Sequence, residues 1–147
     1  MKKDISFVFS SEYIISTHKE YREAHLLDGF IAYEDGETAG VLLFSEDGGE
    51  CELVYLHSLR EGKGIAKRLI KRLIEYTQDN RISRLYVVTT NDNITALKLY
   101  QQVGFRIKTV YPDAMDRVRQ KKPMIPKVGN HGIPLRDLIE LDFVMKK

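Results

Sequence analysis

Glu61-Gly62-Lys63-Gly64-Ile65-Ala66 joins two segments of different periodicity. Behind it, residues 50–59 are rich in strand-forming side chains. Ahead of it, Ile65, Leu69, Ile70, Leu73 and Ile74 recur at helical spacing along a basic stretch. A turn punctuated by glycines and feeding a helix leaves several backbone N–H groups without intrahelical acceptors, all aimed at one spot. Such a spot suits a phosphate, although two glycines before a helix also make an ordinary tight turn. The hexapeptide is not a Walker A loop, because Gly64 is followed by Ile65 and not by the Lys-Ser/Thr pair. It also lacks the third glycine and the downstream acid of a dinucleotide fingerprint.

A second stretch adds to the first. Asn91-Asp92-Asn93-Ile94-Thr95-Ala96-Leu97-Lys98-Leu99-Tyr100-Gln101-Gln102-Val103-Gly104-Phe105 follows the apolar run Leu85-Tyr86-Val87-Val88-Thr89. A strand precedes it, a helix fills it, and Gly104 stops it as a good residue beyond a helix end. Together the two segments resemble the GCN5-related N-acetyltransferase (GNAT) family. That family's acyl-CoA loop is Gln/Arg-x-x-Gly-x-Gly/Ala, matched by residues 61–66 except at the first position. Its second hallmark, Asn-x-x-Ala-x-x-Leu-Tyr followed by Gly-Phe, is similar to Asn93, Ala96, Leu99-Tyr100 and Gly104-Phe105. The resemblance covers residues 29–105 well and is looser elsewhere.

The resemblance implies acetyl-CoA as the cosubstrate. Backbone amides of Gly62, Lys63, Gly64, Ile65 and Ala66 are then expected to grip its pyrophosphate. Each charge-assisted hydrogen bond contributes about 1.5–3 kcal/mol, and the helix dipole only about 0.3–1. Side chains at Gly62 and Gly64 would hold the phosphate away. Glu61 departs from the pattern, since a carboxylate repels a pyrophosphate; Arg60 and Lys63 are near enough in sequence to offset it. Backbone around Leu56 is expected to bond the pantetheine arm, as an extended strand edge can.

Tyr100 has two readings. It falls on the apolar stripe with Ala96, Leu99 and Val103 and can simply be core. The resemblance makes it the general acid that protonates the departing thiolate. Asn93 caps its helix, bonds the pantetheine arm, or does both. Alternation along the preceding strand places Glu50, Glu52, Val54 and Leu56 on one face. Glu52 is the candidate general base, with His57 as the alternative. Cys51, on the other face, reads as a packed residue, because no histidine with a clear role partners it as a nucleophile.

The bulk composition limits the alternatives. A chain of 147 residues, 43% hydrophobic and 30% charged, reads as one globular N-acetyltransferase domain, residues 1–147. One cysteine excludes an internal disulfide and fits a reducing, cytoplasmic setting. No stretch reaches signal-peptide character or membrane-span length. His18, His25, His57 and His131 show no metal-ligand spacing, so no metal is expected. Lys63, Lys67, Arg68, Lys71 and Arg72 form a basic helix face, but no aromatics interleave it and a net charge of +2 is small, which disfavours nucleic acid.

The expected architecture is a single α/β (α+β) GNAT-like fold, a mixed central sheet flanked by helices. It begins with a strand at 5–9 and a short helix, then hairpin strands at 30–33 and 39–44 about an Asp-Gly turn. A strand at 51–56, helix 62–78, strand 85–89, helix 93–103 and strand 105–111 follow. All four prolines fall in 112–134, read as an insertion with a helix at 113–120; the resemblance implies that it helps select the acceptor, and a simple surface flap is the alternative. The last strand occupies 137–145. Arg136-Asp137 and Glu140-Asp142 near the end suit either a cationic acceptor or a surface ladder of ion pairs. The amine acceptor itself is not legible, a homodimer through the terminal strand is compatible with the pattern, and a non-catalytic acyl-CoA sensor is the alternative function.

Overall fold

The computed structural model describes residues 27–60 and 62–145. The strand expected at 5–9, the helix after it, and Glu61 lie outside the described residues. Among the described residues, six strands and three α-helices follow one another as β1 (Asp28–Glu34), β2 (Glu37–Asp47), β3 (Glu50–Ser58), α1 (Ile65–Asp79), β4 (Arg84–Thr90), α2 (Ile94–Gln102), β5 (Phe105–Tyr111), α3 (Ala114–Lys121) and β6 (Leu138–Phe143). The strands make one mixed sheet in the order β1-β2-β3-β4-β6-β5.

The first three strands are joined by tight turns. Asp35 and Gly36 both have positive φ (52° and 78°), the geometry that a two-residue hairpin requires. β3 and β4 then run parallel, and α1 crosses between them. Their pairing is short, from Glu50↔Arg84 to Leu53↔Val87. Beyond that point β3 stays on β2 as far as Ser58, and β4 stays on β6 as far as Thr90. The parallel strands therefore separate toward their carboxyl ends, leaving a wedge where open α/β sheets hold their ligands.

A bulge lies at the start of the wedge. Leu43 pairs with Tyr55 and Phe44 with Leu53, so Val54 is an extra residue on β3. This overturns the expected alternation. Leu56 packs with Leu53 against the main core, while Tyr55 packs with Val41 and Leu43 on the opposite side. Glu52 and Leu56 thus face opposite sides of the sheet, because one inserted residue reverses the parity of everything after it.

The main core lies under α1 and α2. Ile65, Leu69, Ile70 and Leu73 of α1 and Tyr100 of α2 pack on Leu42, Phe44, Cys51, Leu53, Leu85, Val87 and Leu141. On the other face, Ala114 and Met115 of α3, with Ile125, Leu135 and Leu138, cover Val88 and Tyr111. The segment between β5 and β6 is accordingly built into the protein through its own small core. The terminal strand β5 leaves Ile107 and Val110 half exposed.

Candidate active site

The turn from β3 into α1 is open. Gly62 (φ 73°) and Gly64 (φ 68°) are both left-handed, and a Cβ added at either would meet none of the described residues within 4 Å. Within the protein, these glycines are needed for their backbone conformation, since L side chains resist this region. Gly64 caps α1 without any side-chain hydrogen bond. The first helical bond runs from the Arg68 amide to the Gly64 carbonyl (3.1 Å), so the amides of Ile65, Ala66 and Lys67 precede the ladder. Ile65, 1% exposed, anchors the helix start on the core. No acidic residue stands in the first turn.

Arg60 does not serve the turn as expected. Its guanidinium donates to Glu34 (2.9 Å) and Glu37 (3.0 Å) of the β1–β2 hairpin, which also raise its pKa, the Glu34 hydrogen bond most of all. Lys63 is exposed, as are Lys67, Arg68, Lys71 and Arg72 along α1. Arg68 approaches Glu34 (3.9 Å), and Arg72 lies over the Phe30 ring at 4.8 Å. The basic face is mostly solvated.

One wall of the wedge is β3 from Val54 to Ser58, which has β2 on one side and, among the described residues, no strand on the other. Leu56 sits half-buried on this stretch. Tyr100 lies beneath it in the main core as the buried residue of α2, its ring 5.7 Å from that of Phe105. Burial raises its pKa well above the ordinary tyrosine value. Among the described residues its hydroxyl has no hydrogen-bond partner. Asn93 caps α2, its Oδ1 accepting from the Ala96 amide (3.1 Å), and among the described residues its NH₂ group meets no acceptor.

Glu52 lies on the opposite face, one residue before the strands separate. It is 1% exposed and accepts from the Tyr86 hydroxyl (3.3 Å). Burial, and then the Glu52 charge, raise the pKa of Tyr86. The structure therefore brings Glu52 together with Tyr86, and separates it from Tyr100 by the thickness of the sheet. His57 is exposed and stacks on Tyr55, ring centroids 6.2 Å apart. Cys51 is fully buried, its thiol pushed up to about 12 by burial first and then by Glu46 and Glu52. A thiol held protonated in this way is a packing group. Among the described residues no group of three or more His, Cys, Asp and Glu could hold a metal ion.

Two features go beyond the sequence reading. The expected ladder of ion pairs is present and reaches further than expected: Asp142 pairs with both Arg84 and Lys108 (3.7 Å), Arg84 also reaches Glu50 (3.5 Å), and Glu140 is drawn inward from the surface. Arg84 donates to both oxygens of Asp142 (3.1 and 3.0 Å) and to Glu140, and its guanidinium lies 4.1 Å over the Tyr86 ring. Tyr111 donates to the other Glu140 oxygen (3.0 Å), and Glu140 is 3% exposed. The pairing needs β6 beside β4, a long-range placement without a local signal. The second feature is the Asn91-Asp92 pair after β4, whose side chains grip the segment before β6.

A mixed sheet split between two parallel strands, with a glycine turn opening a helix at the split, defines the acetyltransferase class of α/β fold. The family model described as the acetyltransferase (GNAT) family matches residues 2–105, and the chain belongs to that family. It is 40% identical to the uncharacterized protein YdhI of Bacillus subtilis over 114 residues, 77% of this chain and 71% of that one. A Bacillus subtilis acetyltransferase solved in complex with CoA is 26% identical with a TM-score of 0.70, covering 79% of this chain and 75% of that one. The IAA acetyltransferase from Bacillus cereus is 28% identical with a TM-score of 0.67, covering 77% and 74%. Among the described residues no helix is long and apolar enough to cross a membrane.

Proposed function

We propose that this chain is a cytoplasmic N-acetyltransferase that moves the acetyl group of acetyl-CoA directly to a primary amine. The observation carrying this reading is the wedge between β3 and β4, with the open amides of the glycine turn at its mouth. The CoA complex of the Bacillus subtilis relative supports the donor. Amides from Gly62 to Ala66 hold the pyrophosphate, and the unpaired edge of β3 around Leu56 holds the pantetheine arm, with the Asn93 amide as a further donor.

The amine nitrogen attacks the thioester carbonyl carbon, the C–S bond breaks, and the leaving thiolate takes the Tyr100 proton. At pH 7 deprotonating a lysine-like amine costs about 4.6 kcal/mol and an α-amine only about 1.1, which favours an α-amine acceptor. Glu52 receives the amine proton, directly or through water. Burial keeps Tyr100 protonated but also makes it a weaker acid, so its proton reaches the thiolate, whose conjugate acid is at about 8.5, only with help from close geometry and from apolar surroundings that disfavour the thiolate as well. The alkaline fall in kcat that Tyr100 sets should lie above the ordinary tyrosine range near pH 10.

Tyr100→Phe tests the reading. Turnover of a good acceptor is expected to fall about 100-fold, with acetyl-CoA affinity unchanged. Undiminished turnover removes the general-acid role. The deep burial of Glu52 favours a second reading, a non-catalytic acyl-CoA sensor. That reading is preferred if CoA raises the melting temperature while no amine in a broad screen is acetylated.

A further inference from the structure

The turn after β4 holds a distant part of the chain in place. Asp92 is 3% exposed and both of its oxygens are engaged. Oδ1 accepts from the Thr90 hydroxyl (2.5 Å) and Oδ2 from the Asn130 amide (2.8 Å). Gly129 comes closer still, since a Cβ there would stand 2.1 Å from Asp92 Oδ2. Its φ of −102° is not left-handed, and Asp92 leaves no room there for a side chain. Asn91 completes the grip. Its Oδ1 accepts from the amides of Arg136 (3.0 Å) and Asp137 (2.9 Å), and its Nδ2 donates to the Pro134 carbonyl (2.9 Å).

The gripped segment has a fixed shape of its own. Val128 and Pro134 form a β-bridge, flanked by Gly129 N–H to Ile133 C=O (2.8 Å) and Leu135 N–H to Lys127 C=O (2.9 Å). This closes a small hairpin over residues 127–135, with His131 at its tip in a left-handed conformation (φ 60°). Arg119 of α3 braces the base through the Pro126 and Leu135 carbonyls. The outer surface is exposed at Lys127, Val128, Asn130 and His131.

Its location gives the hairpin a role. Residues 91 and 92 directly follow the carboxyl end of β4, on the side to which the wedge opens. A rigid element clamped there borders any molecule that approaches the thioester along β4. The resemblance already implies that the connection between the final strands helps select the acceptor; we propose that Asp92 is the positioning residue on which that selection depends, because it fixes the 127–135 hairpin beside the carboxyl end of β4. The inference rests on the acetyltransferase reading above.

The test uses Asp92→Ala, Gly129→Ala, the double variant and Asp92→Asn in the full chain. The amine probes are L-aspartate, spermidine and a tripeptide beginning with alanine, with acetyl-CoA hydrolysis followed in parallel as the reaction that needs no amine. Asp92→Ala and Gly129→Ala should each raise KM for the preferred amine, or change the ratio of kcat/KM between amines, at least fivefold. The partition toward hydrolysis should rise similarly, with acetyl-CoA Kd within twofold. Adding Gly129→Ala to Asp92→Ala should cost little further, because the carboxylate is gone and only the residue-92 Cβ, 3.1 Å away, has to give. Asp92→Asn, which retains an acceptor for the Asn130 amide, should restore most of the discrimination. If Asp92→Ala fails to fold, Gly129→Ala makes the same prediction with the Thr90 bond intact. Unchanged amine KM, ratios and hydrolysis in a variant that still binds acetyl-CoA would overturn the clasp alone. A wild-type chain that binds no acetyl-CoA would overturn the acetyltransferase reading instead.

Discussion

After β3 the chain turns through Gly62 and Gly64, where none of the described residues stands within 4 Å of an added Cβ. After β4 it turns through Asn91, Asp92 and Asn93, whose side chains bond to the backbone of residues 96, 130, 134, 136 and 137. Both turns follow a parallel strand and precede a helix, yet one keeps its backbone donors open while the other uses its polar atoms to fix the protein. The difference divides the labour at the wedge. The glycine turn has the capacity to take up a ligand's phosphates, and the Asn-Asp-Asn turn has the rigidity to set the shape of the opposite wall.

The contrast can be broken most forcefully at Gly64. Gly64→Val forces a β-branched residue to positive φ, which strains the backbone by about 1–2 kcal/mol and misaligns amides contributing about 1.5–3 kcal/mol each. Acetyl-CoA affinity measured by calorimetry should fall about 100-fold. Asn91→Ala should act on stability instead, removing three side-chain hydrogen bonds and about 2–3 kcal/mol in denaturant unfolding, with acetyl-CoA affinity nearly intact. If Gly64→Val unfolded the protein and Asn91→Ala abolished acetyl-CoA binding, the assignment of the two turns would be reversed. Asn93→Ala should cost about 1 kcal/mol through the lost cap, and a rise in KM for acetyl-CoA beyond that would show its NH₂ group on the pantetheine arm. Glu61→Gln is the smallest expected change, leaving acetyl-CoA binding equal or slightly tighter; a collapse of affinity would show that the carboxylate helps build the turn.

What could be read from the sequence was local. The stripe of Ile65, Leu69, Ile70 and Leu73 predicted α1 because helical spacing and burial coincide. Asp35-Gly36 predicted the first hairpin because few pairs tolerate two positive φ values. Asn93 was legible as a cap, and Cys51 as a packed strand residue. The features that were not legible depend on distant partners. Val54 carries no sign that it will bulge, and that one residue decides which face Leu56 takes. Glu140 and Asp142 look like solvent-facing charges until Arg84 is brought beside them from 56 and 58 residues away. Asp92 looks like part of an ordinary helix-start turn, and its partner Asn130 is 38 residues downstream.

The strand order carries a consequence for the timing of folding. β6, the last of the described strands, lies between β4 and β5 and pairs with both along nearly their whole lengths. During synthesis, everything through α3 emerges while the space between β4 and β5 is still vacant. In that interval both strands have a bare edge, of the kind that invites mispairing. The sheet can close only when residues 138–143 leave the ribosome, so a nascent chain stalled before Leu138 should remain sensitive to protease and one released just beyond Phe143 should not.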